Sequence, residues 1–430
     1  MPQQELTKSQ KIIFIVIAII ILMVVLMLLG VIPGLKSKEK EKTSEMPAIT
    51  LEFWGIDNPD AFKGVLEGYK AVYPNVTINY QQIDEVGYES KLLNALAAQK
   101  GPDVLMIKHN WVPKHLDKLY PSGVLLKDLK AGFVDVVADD LYYQGKVWAL
   151  PLYVDTLALY YNKDFFNTAG IVMPPVTWDE FVKDAQLLTK KNSSGEILQA
   201  GAALGTVNNI KNAVDIVLLL MLHNNQKIVD ENGRGIFDTA NGVNAVNFYL
   251  SFANPASPNY SWSTHFPNAT EVFAQNRLAM MIDYSSAIST LNALNAYLNY
   301  GIAPLPQPAN TITKQNYADY WAFTVSATSK HPQQAWDFIY YLVDKGAVEY
   351  LNSTLRPAAN RVLIQACKND EKLGVFCEQA LTAKTWLQFN PEENTNILKN
   401  MLESILDGRA TPLTALREAA QRINRSANQF

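Results

Sequence analysis

Between Ile49 and Ile107 the chain alternates strand and helix signals in a regular order that leaves few alternatives to a layered α/β fold. Ile49-Thr50-Leu51-Glu52-Phe53-Trp54 alternates apolar and polar residues and stops at Gly55, the period of a half-buried strand. Phe62 to Val72 has helical spacing and is broken by Pro74-Asn75; Val76 to Tyr80 is a second alternating strand. Tyr88 to Gln99 reads as a helix with Leu92, Leu93 and Leu96 on one face, and Gly101-Pro102 ends it before a buried strand, Asp103 to Ile107. This order predicts a parallel α/β sheet. Ligands of such sheets sit beyond the carboxyl ends of the strands. Here those ends present Trp54 with Asp57 and Asn58, Asp84 with Glu85, and Lys108 to Trp111.

A chain of 430 residues exceeds what one core usually organises, so two domains or more are expected. Gly145 to Leu188 reads as the crossing between them. Lys146 to Leu150 is extended and stops at Pro151; Leu157 to Tyr161 is a second apolar and aromatic strand. Thr177 precedes Trp178-Asp179-Glu180 as a helix cap with acids in the first turn. Asp155 lies between the two strands, a lone carboxylate in apolar company that must pair with a neighbour or meet a ligand. The ligand is the expectation taken here.

Later elements follow the same pattern. Small residues make Gly201 to Gly205 a strand, and Asn212 to His223 reads as a core helix. Gly242 to Phe252 is a further helix, and Leu278 to Ile282 and Tyr320 to Val325 are strands. Pro332 to Val343 is a helix, and Leu398 to Asn424 an amphipathic helical end.

Ahead of this body, Ile12 to Ile32 carries no charge, and a run of that length can span a bilayer as a helix. No clear small-x-small cleavage site follows it, so an uncleaved signal anchor is expected, with a cleaved signal as the minor alternative: tail 1–11, membrane helix 12–32, charged linker 33–48. Lys36, Lys38, Lys40 and Lys42 outnumber Lys8 and Lys11, which by charge alone would place the far side inside. Long domains translocate largely regardless of that bias, and the expectation is a single-pass protein of the cell membrane with its body outside.

The formal net charge of −4 argues against a nucleic-acid partner. Asp230 to Gly235, DENGRG, lacks the later acidic ligands of a calcium loop and reads as a solvated turn. The five histidines are scattered, and no HExxH, Walker A, GxGxxG or GxSxG pattern occurs, so neither enzyme activity nor a cofactor or metal is expected. A glycosidase could still be built from distant acids such as Asp57, Glu85, Asp155 and Asp283. A ligand-sensing receptor domain is the third reading. Cys367 and Cys377 are close enough in sequence to form a disulfide in an exported body, or to remain two buried thiols.

Four groups of residues together resemble the extracellular solute-binding proteins of ABC importers, the sugar-binding group that includes maltose-binding protein. They are Leu51 to Trp54 with Pro74-Asn75-Val76; Gly101-Pro102-Asp103-Val104; and Gly145-Lys146 through Leu150-Pro151, Tyr161 to Asp164 and Thr177 to Phe181. The fourth joins Arg277 to Ile282, Ser329 to Pro332, Ala335 to Phe338 and the Gly408 to Ile423 tail. The resemblance implies a two-lobe periplasmic-binding-protein type II fold with a hinge: residues 49–155 with 302–353 in the first lobe, and 156–301 with 354–430 in the second. It also implies a monomer that takes a carbohydrate in the interlobe cleft and delivers it to ABC permease subunits.

Sugars present an apolar ring face ringed by hydroxyls, so aromatic faces and Asp, Asn and Arg side chains suit them. At the cleft positions that the resemblance implies stand Trp54, Asn58, Asn110, Trp111, Tyr153, Asp155, Tyr284, Ser286, Trp321, Arg356 and Trp386. Asn58, Asn110 and Asp155 match polar contacts of the family and Trp386 a stacking aromatic, whereas Trp111 stands where the family often has a polar residue.

Overall fold

The computed structural model describes residues 7–28 and 47–427. Strands β1 (Ile49–Gly55), β2 (Val76–Gln82), β3 (Val104–Lys108), β4 (Leu119–Tyr120) and β14 (Trp321–Ser326) form one sheet in the order β2-β1-β3-β14-β4. A second sheet has the order β12-β8-β11-β10-β9, from β8 (Ala158–Asn162), β9 (Lys190–Lys191), β10 (Ile197–Ala202), β11 (Leu278–Asp283) and β12 (Tyr300–Ala303). Short strands β7 (Asp155–Thr156), β13 (Asn316–Asp319) and β15 (Ala383–Lys384) make a three-stranded sheet, and β5 (Tyr142–Tyr143) pairs with β6 (Lys146–Val147). The mixed α/β body is of the two-lobe type, with one five-stranded sheet in each lobe.

The first sheet is mixed, not parallel throughout. β1 and β3 run parallel, but β14 pairs antiparallel with β3, Trp321 facing Lys108 and Phe323 facing Met106. β14 reaches this sheet only after the chain has travelled through the second one, so it enters from the opposite end. Phe53 ties the core together, with Phe62, Phe323 and Phe338 rings at 5.0, 6.0 and 5.8 Å. The second core packs the helices Trp178–Leu188, Ala213–His223 and Ala240–Ser251 with residues of β8, β10 and β11. Thr177 forms a capping box with Glu180, closing the amino end of the first of these helices.

Three expectations change in detail. The extended piece after Gly145 is a strand only at β6; Leu150 continues it through a single bridge to Phe323 before Pro151. The small-residue strand lies earlier, at β10, because Gly205 takes φ +98° and turns the chain away. The helical end is two helices, Pro391–Leu406 and Pro412–Ala427. Gly408 at φ +69° terminates the first and Pro412 starts the second.

The amino-terminal unit is a helix, Lys8–Leu28, whose Ile12, Ile20 and Leu22 are more than half exposed. Among the described residues no helix is long and apolar enough to cross a membrane. The described helix stops at Leu28, whereas the uncharged run continues to Ile32; the end of that run and nearly all of the linker 33–48 lie outside the described residues. Cys367 and Cys377 are disulfide-bonded, with Cα atoms 6.1 Å apart.

Candidate functional site

Four buried residues of β3 precede Lys108, which emerges at the strand's carboxyl end. Its ammonium meets the Asp319 carboxylate at 3.0 Å, where β13 gives way to β14. His109 lies behind it, 2.9 Å from Asp140 and 3.4 Å from Asp319, with its ring stacked on Tyr320 at 4.5 Å. Burial disfavours the imidazolium, but Asp140 and Asp319 outweigh it and lift the pKa to about 9. Burial likewise opposes the Asp319 charge, yet Lys108 and His109 hold that carboxyl well below the usual range. Tyr320 completes the group by donating to Asp140 at 2.8 Å.

Asp155 on β7 is buried, and neighbouring protein groups occupy its oxygens. The Ser285 amide donates to both, at 3.0 and 3.1 Å, the Ser285 hydroxyl to one at 2.7 Å, and the Thr156 amide at 2.9 Å. Burial dominates these bonds and raises its pKa to about 7. Of the two roles open to this acid, pairing within the protein is the one its geometry displays. The residue still lines the cleft.

Arg356 forms the third cluster. Its guanidinium meets Asp57 at 2.8 Å, donates to the Tyr350 hydroxyl at 2.9 Å and lies 4.2 Å from the Tyr153 ring centre. Tyr350 itself donates to Asp57 at 2.6 Å, so the buried carboxylate is fully engaged.

These groups wall a cavity of about 310 Å³ between the two five-stranded sheets. One side is Glu85, Lys108, Trp321 and Arg356; the other is Lys211, Asp215, Tyr284, Ser286, Thr395 and Lys399. Asp215 accepts from the Tyr284 hydroxyl at 2.9 Å, and burial followed by repulsion from Asp319 lifts its pKa to about 6. A second cavity of about 430 Å³ shares Glu85, Lys108, Trp321, Thr395 and Lys399 with the first and extends along Asn110 and Trp111. The Trp111 and Trp321 rings meet edge-on at 5.1 Å.

Of the residues expected in the cleft, Tyr153, Asp155, Tyr284, Ser286, Trp321 and Arg356 line the first cavity, and Asn110 and Trp111 the second. Three lie elsewhere. Asn58 is exposed and spends its side-chain oxygen on the Asp60 amide, capping the turn Pro59–Ala61. Trp386 is buried in the second core with its indole N–H on the Tyr317 hydroxyl at 3.1 Å. Trp54 is half-buried, and the Lys91 ammonium sits 5.8 Å from its ring.

Sequence reasoning missed Lys211, Asp215, Asp319, Thr395 and Lys399 as site residues. The last two had a legible signal: Glu392, Thr395, Asn396 and Lys399 recur at helical spacing, a polar stripe opposite buried Ile397, Leu398 and Met401. Lys108 was legible only as a strand end. Among the described residues no cluster of histidine, cysteine or acidic side chains could hold a metal ion. The cleft offers hydrogen-bond donors, acceptors and aromatic edges, which is the equipment for holding a polar ligand.

Comparison with known proteins places these features in a wider set. A family model described as bacterial extracellular solute-binding protein matches residues 55–349. The multiple sugar-binding protein of Streptococcus mutans is 22% identical over 347 residues, 73% of this chain and 75% of its own length. Among solved structures, the sugar-binding protein MalE from Xanthomonas citri superposes with a TM-score of 0.75 at 21% identity, covering 88% of this chain and 98% of that one. An ABC transporter solute-binding protein from Thermotoga lettingae, bound with alpha-D-tagatose, gives 0.69 at 23% identity, covering 88% and 99%.

Proposed function

Because the chain belongs to the bacterial extracellular solute-binding protein family, we propose that it is the substrate-capturing component of an ABC importer and takes a carbohydrate in the cleft between its sheets. The observation that carries this reading is the composition of the two joined cavities. Trp111, Trp321, Tyr153 and Tyr284 supply aromatic surface, and Asn110, Ser286, Asp215, Lys108 and Lys399 supply hydrogen-bonding groups, from both walls. That pairing of flat apolar rings with a polar rim suits a sugar.

In this reading the protein binds its ligand without transforming it, works as a monomer and hands the sugar to permease subunits in the membrane. The lobes comprise residues 49–155 with 302–353 and 156–301 with 354–430; membership of β14 in the first sheet supports that division, whereas β12, Tyr300–Ala303, straddles its boundary. The anchor is the run Ile12 to Ile32, with the body on the extracellular side. Its support is the helix Lys8–Leu28, in which the isoleucines from Ile12 to Ile21 and Leu22 are exposed rather than gathered into one buried stripe.

Calorimetric titration of the full chain against neutral oligosaccharides, maltotriose and mannotriose among them, with mass spectrometry of the recovered ligand, tests the proposal. Saturable binding and recovery of intact sugar are expected. Binding of peptides or polyamines with no response to any sugar would remove the carbohydrate assignment, and a cleaved sugar would remove the non-catalytic one.

A further inference from the structure

We infer that Glu89 is a positioning residue: through His115 it fixes the Trp111 ring as a wall of the second cavity, and so sets the affinity for a sugar unit seated there. This rests on the sugar-binding reading above and deepens it.

Trp111 needs such support. Its indole N–H makes no hydrogen bond among the described residues, unlike those of Trp336 and Trp386, so packing alone orients it. Three aromatic rings lie against it: Trp321 at 5.1 Å, Tyr88 at 6.3 Å and His115 edge-on at 6.4 Å. Two of the three are fixed by the sheet. Trp321 lies on β14, and the Tyr88 hydroxyl donates to the Trp54 and Met106 carbonyls of β1 and β3, at 3.2 and 2.8 Å. His115 has no such frame. Trp111 closes the 3-10 turn His109–Trp111, and His115 sits in the next one, Pro113–Lys118, which it kinks with φ −121° and ψ 20°. Turns of this kind have poor hydrogen-bond geometry, so the segment depends on its side chains.

Glu89 supplies the tie. It stands in the first turn of the helix Tyr88–Ala97 and lines the second cavity. Its Oε1 accepts from His115 Nε2 at 2.6 Å and from Lys114 Nζ at 2.7 Å, so one atom secures two successive residues of the turn. His115 is buried and its Nδ1 has no partner among the described residues, which leaves the bond to Glu89 as the one that holds its ring. Burial opposes the Glu89 charge, but the bonds from His115 and Lys114 outweigh it and hold the carboxyl below its usual range. An ionised carboxylate only accepts, which places the proton on His115 Nε2 and makes the bond a strong, charge-assisted one. A sugar unit entering the second cavity therefore meets a ring already ordered, and binding loses nothing to ordering it.

The test is calorimetric titration of the full chain with maltotriose and mannotriose, beside glucose and mannose. Glu89→Ala should weaken trisaccharide binding about fivefold, less than the tenfold expected for loss of the ring itself, and leave the monosaccharide nearly unchanged. In a Trp111→Ala background, Glu89→Ala should have no further effect, because it acts through the ring. Glu89→Gln, which keeps Oε1, should bind like the wild type. His115→Leu, which fills the space but cannot donate, should reproduce the selective loss and serves where Glu89→Ala does not fold by its melting curve. In protein labelled with 5-fluorotryptophan, the fluorine resonance that vanishes in Trp111→Phe should shift in Glu89→Ala and His115→Leu and stay in place in Glu89→Gln. Equal losses for both sugar sizes, or a Glu89→Ala loss undiminished in the Trp111→Ala background, overturns the inference, since Glu89 would then serve the fold or touch the sugar itself. An unmoved resonance, or a Glu89→Gln loss as large as that of Glu89→Ala, overturns it too. Silence toward every sugar removes the sugar-binding reading, and the fluorine resonance then decides alone whether Glu89 holds the ring.

Discussion

Asp155 and Ser285 are joined by both the amide and the hydroxyl of the serine, tying the short strand β7 to the segment that leaves β11. The carboxylate is held at the price of burial, which raises its pKa to about 7. A folded-state pKa above the unfolded value means the native state binds the extra proton. That stabilisation is complete below the ordinary carboxylate range and is lost as pH rises through about 7. Melting curves of the wild type and Asp155→Asn between pH 4 and 8 check this. The variant should gain relative to the wild type as pH rises and then level off near pH 8; a constant difference would mean that Asp155 does not titrate in this range.

His109 should show a pH window displaced upward. Its imidazolium, held between Asp140 and Asp319, has a pKa raised to about 9, so its stabilisation is complete below about 6.5 and fades through pH 9. His109→Gln should therefore lower the melting temperature most at pH 6 and least at pH 10. The opposite trend would show the ring to be neutral in the folded protein.

Arg356 and Asp57 form a largely buried pair, so removing one partner strands the other. Arg356→Ala should cost about 3–5 kcal/mol in chemical denaturation, because Asp57 is left with only Tyr350. Asp57→Asn in the Arg356→Ala background should recover part of that loss. If the double variant is no more stable than Arg356→Ala, the stranded charge is not the source of the cost.

Trp111 reaches only the second cavity, whereas Trp321 lines both. Trp111→Ala should weaken binding of a trisaccharide by about tenfold, ~1.4 kcal/mol, and leave a monosaccharide ligand nearly untouched. Equal losses for both ligands, measured by titration, would show that the second cavity is not an extension of the first.

The Cys367–Cys377 disulfide closes a short loop, with a sequence separation of 10. The Cys367→Ser/Cys377→Ala double variant should lose about 2–3 kcal/mol, the range of short-loop crosslinks. Wild type treated with reductant should fall to the same melting temperature; a reductant-insensitive value would argue against the bond's contribution.

Local chemistry made much of the fold legible. The period of two in Leu51 to Trp54, the helical spacing of Leu92 and Leu96, the cap at Thr177 and the breaks at Gly101-Pro102 all act within a few residues, and such signals survive in the bare sequence. Strands of two to four residues, as in β7, β13 and β15, carry no period to read. The residue types of the cleft were legible too, which is why Tyr153, Tyr284, Trp321 and Arg356 were found. What tertiary structure alone decided is the assignment of partners. Asp57 meets Arg356 from 299 positions away, and Asp155 meets Ser285 from 130. Hydrogen bonds and ion pairs act over about 3 Å in space, with no regard to separation along the chain. The sequence therefore determined which elements form and which residue types could bind, and the packing of the two sheets determined that Trp386 is core, that Asp155 is paired, and that Lys399 lines both cavities.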